Sequence, residues 1–384
     1  TAKVDRDTQG HHHVSELAVT GYGCDDMFLA PALCEAAGRA LFEIAPATRD
    51  MVVSLGVPVH FRGAVFDCAA VCVDGEVVAL VAKRHLAGDG VHYEPRWFTP
   101  WRSGVRSTVE LCGHSIPIGD LLIDVDGIRI GHEICEDAWV ADRPGSTLYQ
   151  LGVDVILNPS ASHFAFFKQD TRRRIVTEGS RAFGVAYVYA NVLGNEAGRI
   201  IYDGGTMVAS EGRIIAEGSR FSYADFTVTD AVVDVDTNRM LRAQYGSHRP
   251  DATNDEMRVS ASMALAPANL SSQASPLPDW ERSEHLKEEE FLRAISLGLF
   301  DYLRKSRSRG FIVSLSGGAD SAAVATLVRT MVDLATAELG PKGVAERLGG
   351  PAAIQDLLTC VYQSTRNSGD VTRSAAKALA TGLG

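Results

Sequence analysis

Gly131-His132-Glu133-Ile134-Cys135-Glu136-Asp137-Ala138-Trp139 follows directly on Leu121-Leu122-Ile123-Asp124-Val125-Asp126-Gly127-Ile128-Arg129-Ile130. Asp126-Gly127 between alternating β-formers predicts a hairpin. A second apolar strand, residues 153–157, lies beyond an amphipathic connector, so Cys135 is expected where a strand hands over to a helix. A strand end is rigid, and helix N–H dipoles beside it favour a thiolate able to attack a carbonyl. A lone cysteine is otherwise a small buried hydrophobe, so the reading turns on its company.

Two further strand ends supply that company. Glu16 lies in Ser15-Glu16-Leu17-Ala18-Val19-Thr20-Gly21-Tyr22-Gly23, a strand tip breaking into a glycine-bounded turn. Lys83 closes the apolar run Val77-Val78-Ala79-Leu80-Val81-Ala82, just before a loop rich in Gly and His. A carboxylate takes a thiol proton, an ammonium holds an oxyanion, and a thiol attacks the carbonyl.

With their surroundings, Glu16, Lys83 and Cys135 resemble the Glu-Lys-Cys triad of the nitrilase superfamily. The forms Glu-Leu-Ala-Val-Thr-Gly-Tyr and His-Glu-Ile-Cys-Glu-Asp-Ala-Trp resemble its glutaminase branch, which is fused to NAD synthetase. Glu94, in His92-Tyr93-Glu94-Pro95-Arg96-Trp97-Phe98, matches the second glutamate that supports the lysine in that family. The resemblance runs from about residue 15 to about residue 240. It implies an αββα four-layer sandwich, where pattern alone supports α/β with antiparallel pairing. It also implies that Ser162 and Lys168 contact a substrate glutamine. The family often has Arg at the second position, and a capping hydroxyl is the alternative reading of Ser162.

A chain of 384 residues holds two domains, or one large and one partial domain. Its 46% apolar and 22% charged residues are those of an ordinary globular protein. A net charge of -11 argues against a nucleic-acid surface, while backbone N–H groups still bind phosphate without a basic patch. No apolar run approaches the roughly 18 residues of a membrane span, and no signal peptide is evident, so a cytoplasmic location is expected. The seven cysteines lack Cys-x-x-Cys spacing and read as reduced thiols, not a zinc site.

Residues 1–14 do not supply the strand and helix that the resemblance places before the glutamate, so a trimmed start is expected. His11, His12 and His13 read as a tag remnant or loop rather than metal ligands. Helical spacing follows over 28–49, then a strand that begins over 51–55 and closes over 57–61, its Pro58 marking an edge or a strand start. Residues 64–73 and 77–82 form a hairpin, and 86–101 a loop over a pocket, in which Arg96, Trp97 and Trp101 read equally as substrate wall or loop packing. Beyond Cys135 come a helix over 146–152 and a helix over 168–183 with a basic face at Arg172, Arg173 and Arg174. A strand over 186–192 and a hairpin over 200–215 around Glu211-Gly212 follow, and 234–260 wraps a surface.

The division expected is a nitrilase-like glutamine amidohydrolase domain over 1–262, a Pro- and Ser-rich linker over 263–284, and a further domain over 285–384. A helix over 288–306 precedes Gly310-Phe311-Ile312-Val313-Ser314-Leu315-Ser316-Gly317-Gly318-Ala319-Asp320-Ser321. Strand, Ser/Gly turn and helix N-terminus are the parts of a phosphate cradle, although the lysine of a Walker loop is missing. Ser-Gly-Gly-x-Asp-Ser resembles the pyrophosphate loop of the N-type ATP pyrophosphatases. That resemblance implies ATP binding by Ser314, Leu315, Ser316, Gly317, Gly318, Ala319, Asp320 and Ser321, with Asp320 on Mg²⁺. A strand over 357–362 and a helix over 370–383 complete the start of a doubly wound parallel sheet, and relatives carry more chain there, so 285–384 is expected to be its N-terminal part.

Together the two resemblances imply a ligase that frees ammonia from glutamine and uses ATP to amidate deamido-NAD, working as a homo-oligomer. The rivals are a plain carbon–nitrogen hydrolase, an amidotransferase making another product, and a truncated binding subunit.

Overall fold

The computed structural model describes residues 10–196, 198–251, 255–263, 277–366 and 368–384. Apolar, β-branched runs too rich for a solvent face build two sheets that bury one another. The first holds β1 (Gly10–His13), β2 (Met51–Phe61), β3 (Ala64–Val73), β4 (Glu76–Ala82), β5 (Arg106–Leu111) and β6 (His114–Gly119), in the order β1-β2-β3-β4-β6-β5. The second is built from β7 (Leu122–Val125), β8 (Ile128–His132), β9 (Val155–Ser160) and β10 (Ala186–Asn191). After β11 (Leu193–Glu196) and β12 (Ile200–Asp203), a separate hairpin, it gains β13 (Thr206–Ser210), β14 (Arg213–Glu217) and β15 (Arg258–Ala261). Its order is β14-β13-β10-β9-β8-β7-β15.

Val71, Ala79 and Val81 of the first sheet meet Ile123, Ile130 and Leu157 of the second in a dry interior. Helix α1 (Pro31–Ile44) lays Ala37 and Leu41 on the outer face of the first sheet, against Leu55 and Val57. A one-turn helix α2 (Glu94–Trp97) follows in the loop after β4. On the outer face of the second sheet, α3 (Pro144–Gln150) and α4 (Lys168–Phe183) bury Leu148, Val176 and Phe183 against Ile156, Tyr187 and Met207. Each such side chain contributes about 1.5–3 kcal/mol by leaving water. The result is the four-layer αββα sandwich.

Several local expectations change. The histidine run is not a loop: Gly10–His13 pairs in parallel with Met51–Ser54, because a ladder needs backbone N–H and C=O groups whatever the side chains. Pro58 lies on the same strand beyond the reach of β1, where its missing N–H costs no ladder bond. Residues 200–203 pair back onto 193–196, so the hairpin around Glu211-Gly212 is β13–β14 alone. Arg172 is no part of a basic face: it is fully buried against Asp203. Trp101 packs edge-on to Phe66 at 4.9 Å in the core, and Arg96 and Trp97 both donate to Asp26, which is loop packing.

The segment 234–260 forms α5 (Val235–Gln244) and leads into β15, which edges the second sheet beside β7. Residues 264–276 of the expected linker lie outside the described residues. Helix α6 (Leu286–Ser306) then packs Leu297 and Phe300 against Phe221 and Tyr223, and against Val328 and Met331 of α7 (Ala319–Leu348), which kinks at Gly340 before Pro341. The parallel pair β16 (Phe311–Ser314) and β17 (Leu358–Val361) closes the chain, with α8 (Ile354–Leu357) before β17 and α9 (Asp370–Leu383) after it. Among the described residues, no helix is long and apolar enough to cross a membrane.

The inter-sheet region near the end of β8 also holds two histidines. His132 is buried with Nε2 2.9 Å from Ser54 Oγ, and both ring nitrogens of His13 are buried. Burial lowers His13 to about 4 and His132 to about 3. The unfolded chain binds these protons near 6.5 and the folded chain does not, so their contribution is complete above pH 6.5 and is lost as pH falls toward 4. Unfolding free energies from urea titrations between pH 7 and 4.5 should fall by up to about 1.4 kcal/mol per pH unit per histidine, and His13→Leu should flatten that slope. An unchanged slope would contradict the neutral, buried state of His13.

Candidate active site

Three loops at one end of the sheets converge on a buried ammonium. Glu16 stands in the turn after β1, Lys83 at the end of β4, and Glu94 opens α2. Lys83 Nζ donates to Glu16 Oε1 at 2.5 Å and to Glu94 Oε2 at 2.7 Å, all three side chains being sealed from solvent. The turn carrying Glu16 lies directly on the β2 backbone. A Cβ on Gly56 would meet Leu17 N at 2.1 Å, so only glycine admits this approach. Glu16 Oε2 accepts from Ala161 N at 2.8 Å, while Glu94 accepts from Ala87 N at 2.9 Å and from the Tyr22 hydroxyl at 2.6 Å. Burial disfavours the Lys83 ammonium, but the charges of Glu16 and Glu94 more than offset it and hold Lys83 well above its ordinary range.

Cys135 enters from the other sheet. β8 ends at His132, and Cys135 begins a short 3₁₀ turn, Cys135–Ala138, with φ 47°. A left-handed backbone is strained for a non-glycine residue, and such strain is held only where the surroundings over-determine it. Here they do. Glu133 accepts from Arg143, Gly145 N and the Tyr187 hydroxyl. Asp137 Oδ2 accepts from Ile134 N at 3.0 Å, and its Oδ1 from Arg84 N and His85 N, which ties the cysteine turn to the residues just after Lys83.

The Cys135 thiol is buried, within the fields of Glu16, Lys83 and Glu94 and against the Ala161 N–H. The expected stabilisation of a thiolate by helix dipoles does not prevail. Burial first, then the charge of Glu16, push the thiol well above its ordinary value. The turn is too short to carry a large dipole. The resting sulfur therefore keeps its proton, and a reaction needs a base. Burial and Glu94 raise Glu16 while Lys83 opposes them, which makes Glu16 a stronger base than a free carboxylate.

One wall is the segment 161–168. Ser162 N donates to Asn191 Oδ1 at 2.8 Å, and Ser162 Oγ accepts from Arg172 Nε at 3.3 Å. Arg172 also donates to the carbonyls of Ser162 and His163 and twice to Asp203. Lys168 Nζ lies 3.3 Å from His163 Nδ1 and 5.4 Å above the Trp139 ring, and burial, then Arg172, lowers it to about 8. Beyond this wall Arg220 pairs with Glu281 and Glu290, and Glu290 accepts from Phe167 N, so α6 is fastened to the loop that precedes Lys168.

The second motif lies between β16 and α7. Ser316 Oγ and Ser321 Oγ are 3.1 Å apart, and Gly318 N donates to Ser316 Oγ at 3.2 Å. Gly317, at φ 80°, lies so close to Thr372 that a Cβ would meet its carbonyl oxygen at 2.4 Å. Asp320 is exposed in the first turn of α7. Ser314 closes β16, and the Ser316 and Ser321 hydroxyls stand at the N-terminus of α7, while Leu315 N, Ser316 N and Gly318 N already donate to Val361 O, Ser321 Oγ and Ser316 Oγ.

Sequence reading missed Tyr22, Asp67, Glu133, Asp137 and Asp203, each a buried polar partner of this site. Asp67, inside the apolar run Ala64–Val73, carried a usable signal, since an acid there is buried and needs a reason.

A model of the carbon–nitrogen hydrolase family matches residues 13–240. Glutamine-dependent NAD(+) synthetases from rice (indica) and from Saccharomyces cerevisiae are 33% and 32% identical over 96% of this chain and cover 54% and 56% of their own lengths. The chain thus spans about half the length of the curated relatives it matches. A crystal structure of a glutamine-dependent NAD(+) synthetase from Cytophaga hutchinsonii superposes with a TM-score of 0.78 at 37% identity, covering 98% of this chain and 58% of that one.

Removing Arg172 leaves the Asp203 charge and two carbonyls without their donor. Arg172→Met should cost about 3–5 kcal/mol in urea unfolding and speed amide exchange over 161–168. Unchanged stability and exchange would contradict the role given to this ion pair.

Proposed function

Because the chain belongs to the carbon–nitrogen hydrolase family, we propose that its first site hydrolyses the side-chain amide of glutamine and that the ammonia serves an ATP-dependent amidation. The observation that carries this reading is the sealed Glu16–Lys83–Glu94 cluster within the field of the Cys135 thiol. Cys135 Sγ attacks the amide carbon while Glu16 takes the thiol proton. The Lys83 ammonium faces the oxyanion, whose charge develops only as the carbonyl is attacked. Glu16 returns the proton to the leaving nitrogen, ammonia departs, and a glutamyl thioester remains. Water attacks it, again through Glu16, and releases glutamate and the free thiol. Ser162 and Lys168 hold the amino-acid end of the substrate, Lys168 as a cation for its carboxylate.

On this reading residues 1–262 are the glutaminase domain, 263–284 the connection, and 285–384 the front of an ATP-pyrophosphatase domain. Ser314, Leu315, Ser316, Gly317, Gly318, Ala319 and Ser321 cradle the ATP phosphates through hydroxyls, backbone and the N-terminus of α7. The exposed carboxylate of Asp320 is an oxygen ligand of the kind Mg²⁺ takes, and Mg²⁺ would supply charge neutralisation of the phosphates. The carboxylate of deamido-NAD displaces pyrophosphate from ATP, and ammonia displaces AMP from the adenylate to give the amide. The similarity to glutamine-dependent NAD(+) synthetases supports this product.

Glutamine incubated with the purified chain should yield glutamate and ammonia. Cys135→Ala should lower that rate by at least about a thousandfold, as expected for loss of a nucleophile. A Cys135→Ala variant with undiminished glutaminase activity would overturn the reading.

A further inference from the structure

Three carboxyl groups and one ammonium share the dry centre of the site. Glu16, Asp67 and Glu94 place carboxyl oxygens within 4.8 Å of one another, and Lys83 Nζ lies 2.5, 3.6 and 2.7 Å from them in that order. Among the described residues Lys83 is the cation ion-paired with all three. If every carboxyl were ionised, two negative charges would stand uncompensated and out of reach of water, which costs several kcal/mol per ion. At least one carboxyl therefore keeps its proton.

The donors decide which. Glu16 receives Lys83 and Ala161 N, and Glu94 receives Lys83, Ala87 N and Tyr22. Neither oxygen of Asp67 receives a hydrogen bond, although its side chain is 1% exposed. A buried carboxylate without donors is the least stable ion of the three. In agreement, burial and then the charge of Glu16 push the Asp67 carboxyl well above its ordinary range. The titratable groups that face it are Glu16 from the turn after β1, Lys83 from the end of β4 and Glu94 from α2, with Cys68 next along β3.

We propose that Asp67 is a neutral carboxylic acid whose proton faces Glu16, a positioning residue that keeps Glu16 ionised and aimed as the base for Cys135. The proposal rests on the reading of Glu16 as that base. It gives a purpose to an acid buried in an apolar strand, whose own carbonyl also accepts the Lys83 N–H at 2.9 Å.

The test is the acid limb of two pH profiles, measured on the wild type, Asp67→Asn and Asp67→Ala. One profile is kcat/KM for glutamine, whose acid limb reports Glu16 in the free enzyme. The other is the rate of Cys135 alkylation by iodoacetamide, followed on the Cys135 peptide by mass spectrometry. A neutral Asp67 donates a hydrogen bond that favours ionised Glu16. Asp67→Ala should then raise the limb by about one pH unit, a tenfold change in ionisation, while the carboxamide of Asp67→Asn, still a donor, leaves the limb in place. An ionised Asp67 predicts the opposite sign, because both variants would remove a negative neighbour and lower the limb. A lowered limb in Asp67→Asn, or no rise in Asp67→Ala, overturns the proposal. Should Asp67→Ala fail to fold, the near-isosteric Asn variant decides alone. Alkylation needs no glutamine, so a chain that shows these limbs yet releases no ammonia contradicts the glutaminase reading and not the state of Asp67.

Discussion

The ammonium of Lys83, shut away from water between Glu16 and Glu94, is the interaction on which the rest of the site depends. A charge in that position is tolerable only with both partners in place, since an unpaired buried ion costs several kcal/mol. Glu16, 67 residues away, and Glu94, 11 residues on, must therefore both meet Lys83 to within hydrogen-bond distance. The first sheet arranges this. β2 and β3 are long and fully paired, β4 ends so that Lys83 N reaches the Asp67 carbonyl, and Gly56 lets the Glu16 turn rest on the β2 backbone.

The second sheet brings the thiol to that ammonium. Its contribution is a strained residue at the end of β8, held by Glu133 on one side and Asp137 on the other. Asp137 is the residue that joins the two sheets' contributions, because it binds the backbone on both sides of the gap. The chain from Arg172 through Asp203 and Arg220 to Glu290 extends the same logic outward, so that the wall near Lys168 and helix α6 share one ionic framework. Salt bridges of this kind add little stability over apolar packing, but once built each member is costly to remove.

Much of this was legible in the residues. Asp-Gly and Glu-Gly pairs marked the hairpins at 126–127 and 211–212, and the helix expected over 168–183 is α4 over its full length. Three strand ends with an acid, an amine and a thiol pointed to one site, and the fold brings Glu16 and Lys83 into direct contact. What stayed hidden has a common cause. β1 is written in histidines and lacks the alternation by which a strand declares itself. Arg172 sits among arginines on a polar helix, and no periodicity reveals that its partner, Asp203, waits under the same face. The thiol's environment was misjudged because a strand-to-turn junction suggests a dipole, whereas burial and a neighbouring carboxylate set the actual balance. Pattern reports which face is apolar; it does not report which buried charges meet.

On the proposed reading the sulfur of Cys135 becomes covalently bound to the carbonyl carbon of the glutamine amide, with Glu16 as its base. Rapid acid quenching of the chain with excess glutamine, followed by peptide mapping, tests it most directly. A glutamyl thioester on Cys135 and on no other cysteine, absent from Glu16→Gln, is the expected result. Ammonia release with no adduct on Cys135, or an equal adduct in Glu16→Gln, would contradict it.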